Sequence, residues 1–225
     1  EIASCLVGSE MCIRDRIKIC GLTTTNALDA ALDAGADFVG FVMVKASPRY
    51  AAPSLAKRLV NRARGRARTV LLFADMVGRE MDVLVHDLEP DLIQLHGRET
   101  PLEVRNARAD YEIPVIKAVG VSGADDLVGL EVMEAAADYL LLDAKAPKGA
   151  TYSGGHGVAF DWTLLAERAF RHPWFLAGGL NPDNVAEALR ITGAPMLDVS
   201  SGVESAPGVK DASRIAAFIR NARRS

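Results

Sequence analysis

The chain has 225 residues, with 26 Lys and Arg against 29 Asp and Glu, a net charge of −3 at neutral pH that gives no sign of a nucleic-acid partner. With 49% hydrophobic and 24% charged residues it buries a substantial core, which excludes a disordered chain. Apolar runs stay short of the roughly 18–20 residues of a membrane span and no secretion-signal pattern is present, so the expected compartment is the cytoplasm.

Residues 1–16, EIASCLVGSEMCIRDR, start without Met and carry neither a helical nor a strand period, so they read as an appendage foreign to the fold. Cys5 and Cys12 then carry no weight, and three cysteines crowded into the first twenty positions do not make a disulfide framework. From Ile17 onward, short apolar runs alternate with amphipathic ones. IKIC (17–20) predicts a first strand, and TTTNALDAALDAG (23–35) a helix whose Ala27, Leu28, Ala31 and Leu32 share a face. DFVGFVMV (37–44) is the second strand, followed by the SPRY turn and a helix in PSLAKRLVNRAR, where Pro53 suits a first helical position. TVLLFAD (69–75) precedes a helix over 79–88. Further strands are predicted at LIQLHG (92–97), PVIKAVGV (114–121), YLLLDAK (139–145), WFLAGGL (174–180) and MLDVSSG (196–202). The last two lead into helices: 182–193 begins with Pro and ends with Gly, and 211–223 opens on an Asp able to cap.

Continuous apolar runs such as VLLF and YLLL fit parallel strands buried on both faces. Eight such units in about 205 residues predict an α/β fold, a single-domain (β/α)8 TIM barrel over 17–225, and no GxGxxG follows Cys20 to favour an open dinucleotide-binding sheet.

The active site of such a barrel is built at the C-terminal ends of its strands. Those ends carry Cys20, Ser47 with Arg49, Asp75, Gln94 with His96, Asp143, Gly178 with Gly179, and Asp198, Ser200, Ser201 and Gly202. The glycines and hydroxyls after strands 7 and 8 suit a phosphate, although Gly178 and Gly179 alone could be tight turns. Asp143 ends an apolar strand, where desolvation favours the protonated form of a proton donor. Cys20 by itself reads more readily as a small buried hydrophobe, and its position opposite that acid is what points to a base. Arg49 reads as a clamp for a carboxylate or as half of a surface ion pair. The Arg62–Arg68 run, Arg220, Arg223, Arg224, His86 and His172 read as solvated surface. KAPKGATYSGGHG (145–157) reads as a Gly-rich lid rooted at Asp143.

KICGLT (18–23), SPRY (47–50), LIQLHG (92–97), LLLDAK with GGHGVAFDW (140–162), LAGGLNPDNV (176–185) and LDVSSGVE (197–204) stand in order at strand ends. Together they resemble the phosphoribosylanthranilate isomerase family of tryptophan biosynthesis over residues 17–225. The resemblance implies a TIM barrel, no metal and no organic cofactor, and an Amadori rearrangement of a small-molecule phosphosugar by a monomer or homodimer. It makes Cys20 the general base and Asp143 the general acid, and puts Arg49, His96 and Asp198 on the anthranilate side. It gives the phosphate to Gly178, Gly179, Ser200, Ser201 and Gly202, with Gly155 and Gly157 assisting from the lid. His156 departs from the small hydroxyl residue frequent there in the family. A histidine-pathway isomerase, which uses aspartates for both proton transfers, fits less well with Cys20, and a non-catalytic phosphosugar-binding barrel would not need Cys20, Asp143 and Arg49 together.

Overall fold

A computed structural model describes residues 16–76, 78–145, 159–166 and 168–224. The elements follow the predicted alternation: β1 (Arg16–Cys20), α1 (Thr25–Asp33), β2 (Phe38–Val42), α2 (Pro53–Ala63), β3 (Arg68–Phe73), α3 (Arg79–Leu88), β4 (Leu92–Leu95) and α4 (Pro101–Tyr111). They continue with β5 (Val115–Val121), α5 (Leu130–Glu134), β6 (Tyr139–Ala144), β7 (Trp174–Leu176), α6 (Val185–Thr192), β8 (Met196–Val199), β9 (Glu204–Ala206), β10 (Val209–Lys210) and α7 (Ala212–Ala222). Strands β1 to β8 pair in parallel, in chain order, and β1 closes on β8 through Ile17 opposite Leu197 and Lys18 opposite Asp198.

Local chemistry sets the helix ends. Thr24 accepts from the Ala27 N–H at the start of α1, and Asp211 accepts from the Arg214 N–H at the start of α7. Pro53 opens α2 as expected, and Gly193, at φ 59°, ends α6 in the left-handed region that glycine tolerates. Inside the barrel, Phe38, Val70, Leu92, Ile116, Leu141, Phe175 and Met196 fill the lower layers. Phe38 meets Phe175 edge-to-face at 5.4 Å. Outside it, residues of opposite parity such as Ile19, Val39, Phe41, Leu71 and Phe73 pack against the helices. Burial on both faces is why these strands read as unbroken apolar runs.

The differences from expectation lie at element ends. β1 opens at Arg16, which pairs with Met196, one residue inside the stretch read as an appendage. Several strands stop short of their predicted ends: β4 ends before His96, β7 before the two glycines and β8 before Ser200. Gly178 and Gly179 take φ of 82° and 67°, which no strand accommodates, and Ser201–Val203 forms a single 3-10 turn. The connection after β6 carries a 3-10 turn at Trp162–Leu165 and no α-helix among the described residues. The β9–β10 hairpin was not anticipated. Apart from Lys145, the predicted lid, with Gly155, His156 and Gly157, lies outside the described residues. Among those residues, no helix is long and apolar enough to cross a membrane.

Candidate active site

Parity along the strands decides which side chains enter the barrel. On β1 the inward positions are Lys18 and Cys20, on β4 Gln94, on β6 Asp143 and on β8 Asp198. Polar side chains thus gather in the upper layer, at the C-terminal mouth, beside Val42 and Leu72 and above an apolar floor.

Cys20 is 3% exposed and stands beside Gly40 of β2. A Cβ on Gly40 would lie 3.0 Å from the Cys20 sulfur and 3.3 Å from Lys18 Cε, so the bare backbone leaves the space in which thiol and lysine meet. Lys18 is fully buried and donates to Asp198 Oδ1 at 2.8 Å. A lysine two residues before the cysteine, on the same face of a strand buried on both sides, needs a partner. That signal was present in IKIC and sequence reasoning passed over it.

Burial pushes the Cys20 thiol up; the Lys18 and Lys210 ammonium groups oppose this and the Asp198 carboxylate adds to it, leaving the thiol above its ordinary value. Alkylation of Cys20 in the ligand-free protein, with Cys5 and Cys12 replaced by Ser, is therefore expected to rise with pH through a midpoint above the ordinary thiol pKa of about 8.5. A midpoint near 7 would contradict this account of its surroundings.

A second cluster ties three loops around the cysteine. Ser200 Oγ donates to the Cys20 carbonyl at 3.1 Å. The Lys210 ammonium, on β10, donates to the Ser200 carbonyl at 2.9 Å and to Glu204 Oε1 at 2.7 Å. Glu204 also receives Arg49 in a two-point contact, Nε to Oε1 at 2.7 Å and an Nη to Oε2 at 2.9 Å. Arg49 therefore stands at the mouth as predicted, with its guanidinium plane fixed by a buried carboxylate rather than by a surface partner. Burial pushes the Glu204 carboxyl up, but the Arg49 and Lys210 hydrogen bonds outweigh it and hold the group below the usual range.

Across the mouth, Asp143 is 8% exposed, and its Oδ2 lies 3.2 Å from His96 Nε2. His96 Nδ1 lies 2.7 Å from the Gln94 amide nitrogen. The loop carrying His96 is held from beneath by a buried pair, Lys117 Nζ to Glu99 Oε2 at 2.9 Å. Lys117 also donates to the Gly97 carbonyl, and Glu99 accepts from the Asp75 and Gly97 backbone N–H groups.

The predicted phosphate loops interlock. A Cβ on Gly179 would lie 2.5 Å from the Ala159 nitrogen, one on Gly178 would strike the Ala144 nitrogen next to Asp143, and one on Gly202 would strike the Leu180 carbonyl. Loops 7 and 8 can approach one another and the end of β6 because these positions lack side chains. The geometry brings together Cys20, Asp198, Arg49 and Ser200 on one side and His96 with Asp143 on the other. Lys18, Glu204, Lys210, Glu99 and Lys117 are the supports that the sequence reading missed.

The family model described as N-(5'phosphoribosyl)anthranilate (PRA) isomerase matches residues 17–221. The N-(5'-phosphoribosyl)anthranilate isomerase of Paramagnetospirillum magneticum is 51% identical over 207 residues, covering 92% of this chain and 96% of the relative. The crystal structure of phosphoribosyl anthranilate isomerase from Thermotoga maritima superposes with a TM-score of 0.84 at 35% identity, covering 93% of this chain and 99% of that one. A crystal structure of phosphoribosyl anthranilate isomerase in complex with reduced 1-(o-carboxyphenylamino)-1-deoxyribulose 5-phosphate gives 0.80 at 34% identity, with the same coverage.

Proposed function

The chain belongs to the N-(5'-phosphoribosyl)anthranilate isomerase family, and from that premise we propose how its residues divide the reaction. The reaction is an aldose–ketose isomerisation in tryptophan biosynthesis, the Amadori rearrangement of N-(5'-phosphoribosyl)anthranilate to 1-(2-carboxyphenylamino)-1-deoxyribulose 5-phosphate. Asp143 gives a proton to the furanose ring oxygen, the C1–O bond breaks, and a Schiff base forms. Cys20, as thiolate, removes the C2 proton to give the enol, which tautomerises to the ketose. The observation that carries this reading is one carboxyl beside His96 and one thiol beside the buried Lys18, both at the mouth of one closed barrel.

Gly178, Gly179, Ser200, Ser201 and Gly202 receive the phosphate, with Gly155 and Gly157 joining from the segment after β6. This remote anchor supplies binding energy that orients the reacting carbons. Arg49, oriented by Glu204, faces the anthranilate carboxylate from the Cys20 side of the mouth, with Asp198 beside it and His96 reaching in from the Asp143 side. The isomerase domain takes in Arg16, the first residue of β1, together with 17–225; the working form is a cytoplasmic monomer or homodimer.

The test is turnover of freshly generated substrate followed by loss of its anthranilate fluorescence. A folded chain that binds phosphosugars without turning this one over would overturn the reading in favour of a binding barrel. The phosphate assignment has its own check. Gly202→Ala drives a methyl group into the backbone carbonyl of Leu180, which has no side-chain freedom to yield, and is expected to raise KM about tenfold or more. The inhibition constant of inorganic phosphate should rise by the same factor; an unchanged constant would move the phosphate elsewhere.

A further inference from the structure

Gln94 is fully buried in the barrel, in register with Leu72 of β3 and Ile116 of β5. An amide there needs a reason. Its nitrogen carries only donor hydrogens, so the 2.7 Å contact with His96 Nδ1 makes that ring nitrogen the acceptor. A neutral imidazole whose Nδ1 accepts carries its proton on Nε2, and Nε2 is the atom 3.2 Å from Asp143 Oδ2. Gln94 Oε1, meanwhile, is buried with no hydrogen-bond partner among the described residues. The amide is therefore spent on the histidine alone.

We propose that Gln94 is a positioning residue that fixes His96 in its Nε2–H tautomer, so that His96 occupies Asp143 Oδ2 as a donor and confines the transferable proton to Oδ1. The inference rests on the reading of Asp143 as the acid and deepens it. With Oδ2 held as an acceptor, the protonated carboxyl carries its hydrogen on Oδ1 and passes it to the substrate ring oxygen. The resulting carboxylate keeps the same bond from His96, which neither gains nor loses a proton. The other tautomer would present a bare Nε2 lone pair to Oδ2. The acid proton would then settle on Oδ2, locked in a hydrogen bond to the ring and withheld from the substrate.

The experiment uses the 15N-labelled full chain and two-bond 1H–15N correlation of its four imidazoles, with His96 assigned from a His96→Asn sample. The wild type should show a neutral ring protonated on Nε2. Gln94→Glu, read at a pH where the new carboxyl is ionised, replaces a donor by a group that only accepts, and is expected to move a proton onto Nδ1. Its kcat should fall about tenfold or more, as wrong-tautomer variants do elsewhere, with KM within about twofold. If the buried carboxylate prevents folding, Gln94→Met, which matches the volume and lacks the donor, serves instead. It should shift the Nδ1 resonance toward that of an unbonded pyridine-type nitrogen and lower kcat. A wild-type His96 protonated on Nδ1 overturns the proposal. So does a folded variant whose kcat stays at the wild-type value, because a merely structural glutamine would leave catalysis untouched. Activity retained by Asp143→Asn would instead sink the acid assignment itself, a result read without any change at Gln94.

Discussion

Asp143→Asn and Cys20→Ser are each expected to lower kcat by about 10²- to 10⁴-fold, the range that a positioned acid or base contributes. The asparagine keeps the size of the side chain and an oxygen for His96 Nε2, so the fold and the mouth of the barrel should be preserved. It lacks an acidic proton, so the ring oxygen must leave unassisted. Cys20→Ser is the more severe change. The pocket already resists ionisation of a thiol, and a hydroxyl, whose proton is far harder to remove, has no route to an anion beside Lys18. KM should change little in either variant, because neither side chain is assigned to the phosphate. Fluorescence kinetics with circular dichroism as a folding control decide the matter. A folded variant retaining more than about a tenth of the wild-type kcat would remove that residue from its role.

Lys18→Met should be the most destabilising single change at the mouth, by about 3–5 kcal/mol, because it strips a buried carboxylate of its counter-ion. Asp198 has its Oδ1 on Lys18 at 2.8 Å, within a barrel interior that offers little water. Burial pulls the Lys18 ammonium down, but Asp198 and Cys20 outweigh it and leave the group above the ordinary lysine value. A pKa raised by folding contributes stability that is complete below the unfolded value and lost as pH rises through the folded one. The pair is therefore intact at neutral pH. Removing both charges, Lys18→Met with Asp198→Leu, should bring stability back to within about 2 kcal/mol of wild type while activity stays lost. Urea midpoints measure all three proteins. A double variant no more stable than Lys18→Met would mean that the lysine contributes through packing of its stem rather than through its charge.

The strands and most helices were legible because their signals are local: apolar runs of strand length, Pro53 at a helix start, Asp211 at a cap and Gly193 at a helix end. Strand ends were overrun at β4, β7 and β8 because site residues continue an apolar run without continuing the ladder. His96, Gly178 and Ser200 leave the sheet to reach the mouth. The candidate acid, base and phosphate loops could be placed, since barrel topology assigns chemistry to strand ends. Their partners could not. Arg49 meets Glu204 across 155 positions and His96 meets Asp143 across two strands, and no sequence period reports either pairing. Lys18 was the exception, a charge in a doubly buried strand that had to be paired, although nothing in the sequence names Asp198 as that partner.

That pairing also orders events during synthesis. Lys18 is in the first strand of the barrel and Asp198 in the eighth, 180 positions later. Until the eighth strand arrives, any collapse that shuts the early strands into a smaller sheet strands a lysine ammonium among Phe38, Val70 and Leu92 with nothing to neutralise it. A closed barrel of fewer strands is thereby penalised, and the eighth strand acts as the latch that admits the charge.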